Sequence, residues 1–350
     1  MKILVTGTAG FIGFHVVERL LKEGHEIVGI DSINDYYDTN LKYGRLAVSG
    51  IPKFEVFYNQ QVKSQRHVNY RFYQLLLEDE GSLMTLFEKE KFDIVINLAA
   101  QAGVRYSLEN AHAYIRSNIS GFLNILECSR RFSIKHLVYA SSSSVYGLNN
   151  DTILSTSYNV YHPVSLYSAS KRSNELMAHV YSHLYNLPVT GLRFFTVYGP
   201  WGRPDMAPML FTSAILKKEP IYVFNNGEMS RDFTYIDDIV EGVYRVALLT
   251  PTKKEDEYTA NPLPSNSTAP FAIYNIGNNK PVKLMDFISV LEKEIGAEAI
   301  KNFKPMQPGD VMSTFADVSP LVRDMNYSPS TSLETGIKYF VEWYNNFYHT

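Results

Sequence analysis

Up to Phe195 the chain alternates short apolar runs with stretches whose apolar residues recur at helical spacing. Ile3 to Val5 reads as a buried strand, followed by a glycine turn, a helix over about Gly13 to Lys22 and a stop at Gly24. Glu26 to Ile30 then reads as a strand ending at Asp31, Ser82 to Lys89 as a helix, and Phe92 to Leu98 as a strand ending at Ala99-Ala100. Ala111 to Phe132 has helical periodicity, His136 to Ala140 forms a strand, Ser165 to Asn186 a helix, and Val189 to Phe195 a further strand. Strand-helix alternation of this kind predicts an α/β protein, a doubly wound parallel sheet with helices on both faces. Tyr36 to Phe72 is polar, aromatic and irregular, and its pattern assigns no element.

Punctuation changes after Tyr198-Gly199-Pro200-Trp201-Gly202-Arg203-Pro204, where the pattern becomes mixed and a Pro-, Ser- and Thr-rich loop runs from Pro251 to Pro270. The expected division is therefore a doubly wound domain over residues 1–197 and a smaller mixed α/β lobe over 198–350. The lobe is discontinuous, with some segments returning to the first domain.

Composition adds exclusions. A formal net charge of -3 offers no electrostatic footprint for nucleic acid. The one cysteine, Cys128, cannot form an intrachain disulfide, and no cysteine spacing suits a metal, so no metal is expected. The apolar start before Gly7 is too short for a signal segment or a membrane span, and no later run is long enough. A reducing cytoplasmic setting is the simplest expectation.

Two constellations carry chemistry. Gly7-Thr8-Ala9-Gly10-Phe11-Ile12-Gly13 lies between a strand and a helix, so its backbone amides can approach a pyrophosphate at the positive helix end. Asp31, ending the next strand, can accept from both adenosine ribose hydroxyls and would repel a 2′-phosphate, which favours NAD over NADP; Ser32 and Ile33 add no cation. Tyr167 and Lys171 stand four apart and share a helix face, so a lysine ammonium can stabilise a tyrosine phenolate acting as base. Between the glycine turn and this pair in sequence, Ser141-Ser142-Ser143-Ser144 ends a strand, where hydroxyls face the ligand crevice of a doubly wound sheet.

Gly-x-x-Gly-x-x-Gly, Leu98-Ala99-Ala100, Ser142 with Val145-Tyr146-Gly147, Tyr-x-x-x-Lys and Arg193 to Pro200 together resemble the extended short-chain dehydrogenase/reductases that act on nucleotide sugars. Asn34-Asp35-Tyr36-Tyr37-Asp38, Gln101-Ala102-Gly103-Val104-Arg105-Tyr106-Ser107 and Trp201 to Met206 look like the UDP-glucuronate 4-epimerases among them. The resemblance spans nearly the whole chain and implies a Rossmann-type fold with tightly bound NAD, a UDP-sugar substrate and a homodimer in which the helices around 111–132 and 165–186 pair as a four-helix bundle. It implies Tyr167 as general base, Lys171 on the nicotinamide ribose and Ser142 in the proton path. Ser143 and Ser144 would lie near the sugar, and Asn118, Ala99 and Ala100 would line the cofactor with Gly7, Gly10, Phe11, Ile12, Gly13 and Asp31. Arg231 would contact the UDP diphosphate, Asp310 the uridine end, and Arg105 the substrate.

Related enzymes all oxidise C4 of the sugar first, so the outcome depends on the next step. Sister dehydratases carry an Asp-Glu pair after the catalytic Ser/Thr, and decarboxylases keep a glutamate there; here stand Ser143 and Ser144, which cannot act as carboxyl acids. Epimerisation needs nothing beyond return of the hydride. A uronate's C6 carboxylate needs donors, for which Thr196 is preferred and Arg203 is the alternative. One departure is Leu76, which occupies the place where the family usually has an aspartate for the adenine amino group. The leading expectation is interconversion of UDP-glucuronate and UDP-galacturonate, a step suited to polysaccharide precursors. The alternatives are a neutral or N-acetylated UDP-sugar on the same mechanism, and a non-catalytic NAD-binding regulator, which would not need an intact Tyr167 and Lys171.

Overall fold

A computed structural model describes residues 1–149, 151–254, 262–306 and 314–348. The chain divides into two compact units: Met1–Asn149, Thr156–Phe194 and Val240–Asn275 form the first, and Asn150–Ser155, Phe195–Ile239 and Ile276–Thr350 the second. In chain order the strands are β1 (Lys2–Thr6), β2 (Glu26–Asp31), β3 (Gln61–Lys63), β4 (Tyr70–Gln74), β5 (Ile94–Asn97), β6 (His136–Ser142) and β7 (Val189–Phe194). There follow β8 (Thr196–Tyr198), β9 (Pro220–Phe224), β10 (Ser230–Tyr235), β11 (Phe271–Ile276), β12 (Pro281–Lys283) and β13 (Ile300–Lys304).

The first unit is built on an eight-stranded sheet of order β11-β7-β6-β5-β1-β2-β4-β3. β1, β2, β4, β5, β6 and β7 pair in parallel, and β3 runs antiparallel to β4 at the edge. Ile3, Leu4 and Val5, like Val95 and Ile96, are wholly buried, because central parallel strands are covered on both faces and need apolar residues at every position. The strand order reverses at β1: the chain first moves to β2, then returns to place β5 on its other side. Ligands of such sheets bind at that switch point, beyond the carboxyl ends of the strands.

The helices of this unit are α1 (Phe11–Lys22), α2 (Thr39–Val48), α3 (Glu80–Glu90), α4 (Tyr106–Glu109), α5 (Ala111–Tyr114), α6 (Gly121–Arg131) and α7 (Leu166–Tyr185). The single helix expected over Ala111 to Phe132 is thus two helices joined by a π-helical turn, Ile115–Ser120. Such a turn frees backbone groups from the ordinary ladder, and here the Asn118 carbonyl accepts from Asn174 Nδ2 on α7 at 2.6 Å.

The second unit holds a three-stranded sheet, β12-β10-β8, and the parallel pair β13-β9. Its helices are α8 (Ala207–Leu216), the start of α9 (Ile236–Leu248), α10 (Leu284–Ile295), α11 (Ser319–Met325) and α12 (Leu333–Tyr348). Aromatic rings fill its core: Phe233 stacks on Phe287 at 4.4 Å, with Tyr198 edge-on to both. No helix among the described residues is long and apolar enough to cross a membrane.

Candidate active site

The glycine turn follows β1 directly. Gly7 N donates to Ile30 O at 2.7 Å and Gly10 N to Gly7 O at 2.9 Å, closing the chain into α1. A Cβ on Gly13 would overlap the Gly7 carbonyl oxygen, so the helix can approach the turn this closely only without a side chain there. Gly10 caps α1 in extended backbone with no side-chain cap, and the first turn carries no acidic residue. That helix end is suited to an anion. These features fit a dinucleotide's pyrophosphate.

Asp31 is buried at the end of β2, where its carboxylate accepts from Ala9 N at 3.0 Å and Ile33 N at 2.8 Å. An ionised carboxylate has about four acceptor sites, so capacity remains for ribose hydroxyls. Two buried cations that sequence reading missed stand close by. Lys42 Nζ donates to the Asn34 carbonyl at 2.6 Å and to Asn34 Oδ1 at 2.7 Å. Arg45 Nη1 donates to Ala9 O and to the Tyr37 hydroxyl, each at 2.8 Å. Burial pushes the Lys42 ammonium below its usual pKa while Asp31 acts the other way. Both cations lie on α2, inside the segment whose pattern assigned no element.

Tyr167 and Lys171 sit in the first turns of α7. Its start is set by a reciprocal capping box: Ser168 N donates to Ser165 Oγ at 3.1 Å and Ser165 N to Ser168 Oγ at 3.0 Å. Lys171 is buried, and its Nζ donates to Ala140 O of β6 at 2.8 Å. Burial drives its pKa down to about 8. The same strand ends in Ser142, whose Oγ accepts from Ser144 N at 3.2 Å and Ser144 Oγ at 2.9 Å, folding the serines into a 3-10 turn, Ser143–Tyr146. The structure therefore ties Lys171 to the strand that carries the serines. Tyr167 is half-buried, and its ring meets Tyr114 edge-on at 6.1 Å.

Beneath this arrangement lies an ionic network that pattern reading also missed. Glu175, one turn after Lys171, is fully buried and accepts from Arg193 Nε at 2.8 Å, Arg193 Nη2 at 3.0 Å, Arg172 Nη1 at 3.0 Å and Ser141 Oγ at 2.7 Å. Burial, the largest single influence, raises the Glu175 pKa, but the charge and hydrogen bonds of Arg193, with Ser141 and Arg172, together outweigh it and hold the carboxyl below its usual value. The network joins α7, β6 and β7 one residue from Ser142. Asn118 belongs to a second polar knot: its Oδ1 accepts from Gln101 N at 2.7 Å, and its Nδ2 donates to Gln101 O at 3.1 Å and Ser170 Oγ at 3.0 Å. Ala99 and Ala100 are partly exposed beyond β5, where Ala99 N donates to Thr6 Oγ1 at 2.9 Å. Arg105 is exposed just before α4.

The second unit holds the other predicted residues. Thr196 opens β8 opposite Phe233 and is partly exposed. Arg203 pairs with Asp205 within its own loop, Nε to Oδ1 at 3.1 Å. Arg231, on β10, donates to Ser230 O at 2.9 Å. Its neighbour Asp232 is wholly buried and accepts from the amides of Asn278 at 2.6 Å, Asn279 at 2.9 Å and Ala316 at 3.2 Å, so it fixes two loops beside Arg231. Asp310 lies outside the described residues.

Residues 3–260 match the model of the NAD dependent epimerase/dehydratase family. Among curated relatives, "Protein CapI" of Staphylococcus aureus is 53% identical over 348 residues, with 99% of each chain covered. A "Probable UDP-glucuronate 4-epimerase" of Rhizobium meliloti (strain 1021) is 45% identical, covering 99% of this chain and 98% of its own. Among solved structures, UDP-glucuronic acid 4-epimerase from Bacillus cereus, in complex with UDP-glucuronic acid and NAD, superposes with a TM-score of 0.83 at 32% identity, over 99% of this chain and 100% of that one. With the glycine turn, the serine edge, Tyr167 and Lys171 all inside the matched residues, the chain belongs to the NAD dependent epimerase/dehydratase family.

Proposed function

We propose that this protein interconverts UDP-glucuronate and UDP-galacturonate by epimerisation at C4, keeping NAD bound between turnovers. The observation that carries the chemistry is the junction of α7 with β6: a buried Lys171 held on the strand whose end presents three serines and no carboxylic acid. When bound, NAD supplies the acceptor, and then the donor, for hydride at C4. All other work falls to side chains. Tyr167 takes the proton of the C4 hydroxyl and later returns it. The Lys171 ammonium favours the phenolate, and Ser142 shares the proton's path. Ser143 and Ser144 offer no acid-base pair for expelling water, so dehydration is closed to the 4-keto sugar, and its reduction on the other face completes the epimerisation.

Glycine-turn amides from Phe11, Ile12 and Gly13, with Gly7 and Gly10 giving access, hold the pyrophosphate, and Asp31 holds the adenosine ribose. Ala99, Ala100 and Asn118 shape the cofactor edge, Asn118 through Gln101. Similarity to UDP-glucuronate 4-epimerases over 99% of the chain supports the uronate as substrate. Thr196 suits the C6 carboxylate better than Arg203, whose guanidinium is already engaged by Asp205. Arg231 and Arg105 are assigned to the nucleotide sugar, with Asp310 at the uridine end.

The partner proposed is a second copy of the chain. On α7, Leu176, Val180 and Leu184 are exposed at four-residue spacing, and Leu123 of α6 is exposed as well, an apolar stripe suited to a helix-bundle dimer.

The test is Tyr167→Phe assayed with UDP-glucuronate by proton NMR. Loss of the general base lowers kcat by about 10²–10⁴-fold, with NAD still bound. A Tyr167→Phe rate near wild type removes Tyr167 as base, and wild-type turnover of UDP-GlcNAc but not UDP-glucuronate overturns the substrate assignment.

A further inference from the structure

The two loops that flank the glycine turn meet one another. β2 and β5 pair with β1 on its two sides, all in parallel, so residues 32–38 and 98–105 leave the sheet at the same edge as the turn. Tyr36 of the first loop packs against Tyr106, which follows the second, with ring centroids 4.8 Å apart. Gly103 sits between them with φ +99°, and any Cβ there would run into the Tyr36 hydroxyl. The contact therefore joins the loops that follow the two strands flanking β1, whose own end carries the glycine turn.

Each loop is anchored on its own side. Lys42 holds Asn34, and Arg45 holds both the Tyr37 hydroxyl and the Ala9 carbonyl of the turn itself. Across the crevice, the buried Tyr114 hydroxyl donates to the carbonyls of Ala102, at 2.8 Å, and of Gly103. Two stiff arms are therefore joined at Tyr36, a half-buried ring on a glycine. Breaking that junction parts the arms without dismantling either anchor.

We propose that Tyr36 on Gly103 and Tyr106 is a latch across the dinucleotide cleft, and that its opening limits NAD release. The inference rests on the NAD reading above and deepens it. An epimerase returns its cofactor to the starting state in every cycle, so slow release costs no turnover. Leu76, where relatives place an adenine-binding aspartate, leaves retention more dependent on such a contact.

The experiment follows exchange of bound NAD against adenine-labelled NAD in the purified holoenzyme, by rapid gel filtration. Losing the aromatic pair together with the glycine contact speeds exchange by roughly tenfold in Tyr36→Ala, whereas Tyr36→Phe, which keeps the ring, stays within about threefold of wild type. Activity that Tyr36→Ala loses on gel filtration returns on adding NAD. Exchange at the wild-type rate in Tyr36→Ala overturns the latch. Should that variant fail to fold, Tyr106→Ala tests the other half by the same criterion. A wild-type protein that neither carries nor takes up NAD defeats the cofactor reading itself, a result distinct from unaltered exchange.

Discussion

Replacing Lys171 by methionine separates what the residue does for catalysis from what it costs the fold. The ammonium is buried with the Ala140 carbonyl as its hydrogen-bond partner, and burial brings its pKa down to about 8. Against an unfolded value of about 10.4, that depression makes the charged lysine unfavourable to the nucleotide-free fold by about 3 kcal/mol at pH 7. Methionine fills similar space, and the lost hydrogen bond returns about 1 kcal/mol of that. Lys171→Met is therefore expected to gain about 2 kcal/mol at pH 7 while losing activity. The sign fixes the pH dependence: the folded pKa lies below the unfolded one, so between about pH 8 and 10.4 the unfolded chain binds the extra proton and wild-type stability rises with pH. Urea denaturation of both nucleotide-free proteins, taken as a difference curve so that other titrating groups cancel, should narrow by about 2 kcal/mol from pH 7 to pH 9.5. A flat difference curve, or a variant less stable than wild type at pH 7, refutes the reasoning.

Gly13→Ala should weaken NAD binding by about 100-fold or more in calorimetry, since displacing the turn by even a few tenths of an ångström disturbs the amides of α1; unaltered affinity would show that the close approach to Gly7 is dispensable. Glu175→Gln strands the buried Arg193 charge and is expected to cost about 3–5 kcal/mol in urea denaturation, against less than 1 if the pair were replaceable in place. Val180→Glu on the exposed α7 stripe should yield a monomer by light scattering, and a dimer that survives it would move the interface elsewhere.

Much of the first unit was legible because parallel strands buried on both faces read as unbroken apolar runs, and the glycine turn and Asp31 punctuate them. The π-helical turn at Ile115–Ser120 was not, since one extra residue in a helical turn barely alters hydrophobic periodicity. Lys42, Arg45 and Glu175 escaped notice because charged residues are rarely buried unless paired, and pairing depends on tertiary neighbours that spacing does not reveal. Tyr36 and Gly103 stood inside strings that resembled a family, but their meeting depends on strand order and on loop packing that neither string encodes. In the second unit Thr196 and Arg231 are assigned by resemblance alone, whereas the three amides converging on Asp232 had no linear signature.

The central claim is that the hydrogen removed from C4 returns to C4. Running the reaction on UDP-glucuronate in D2O and reading the product by NMR tests it directly. The account predicts UDP-galacturonate with protium retained at C4 and none of the pentose that loss of CO2 would leave. Deuterium at C4, or at C5 in its place, would contradict it.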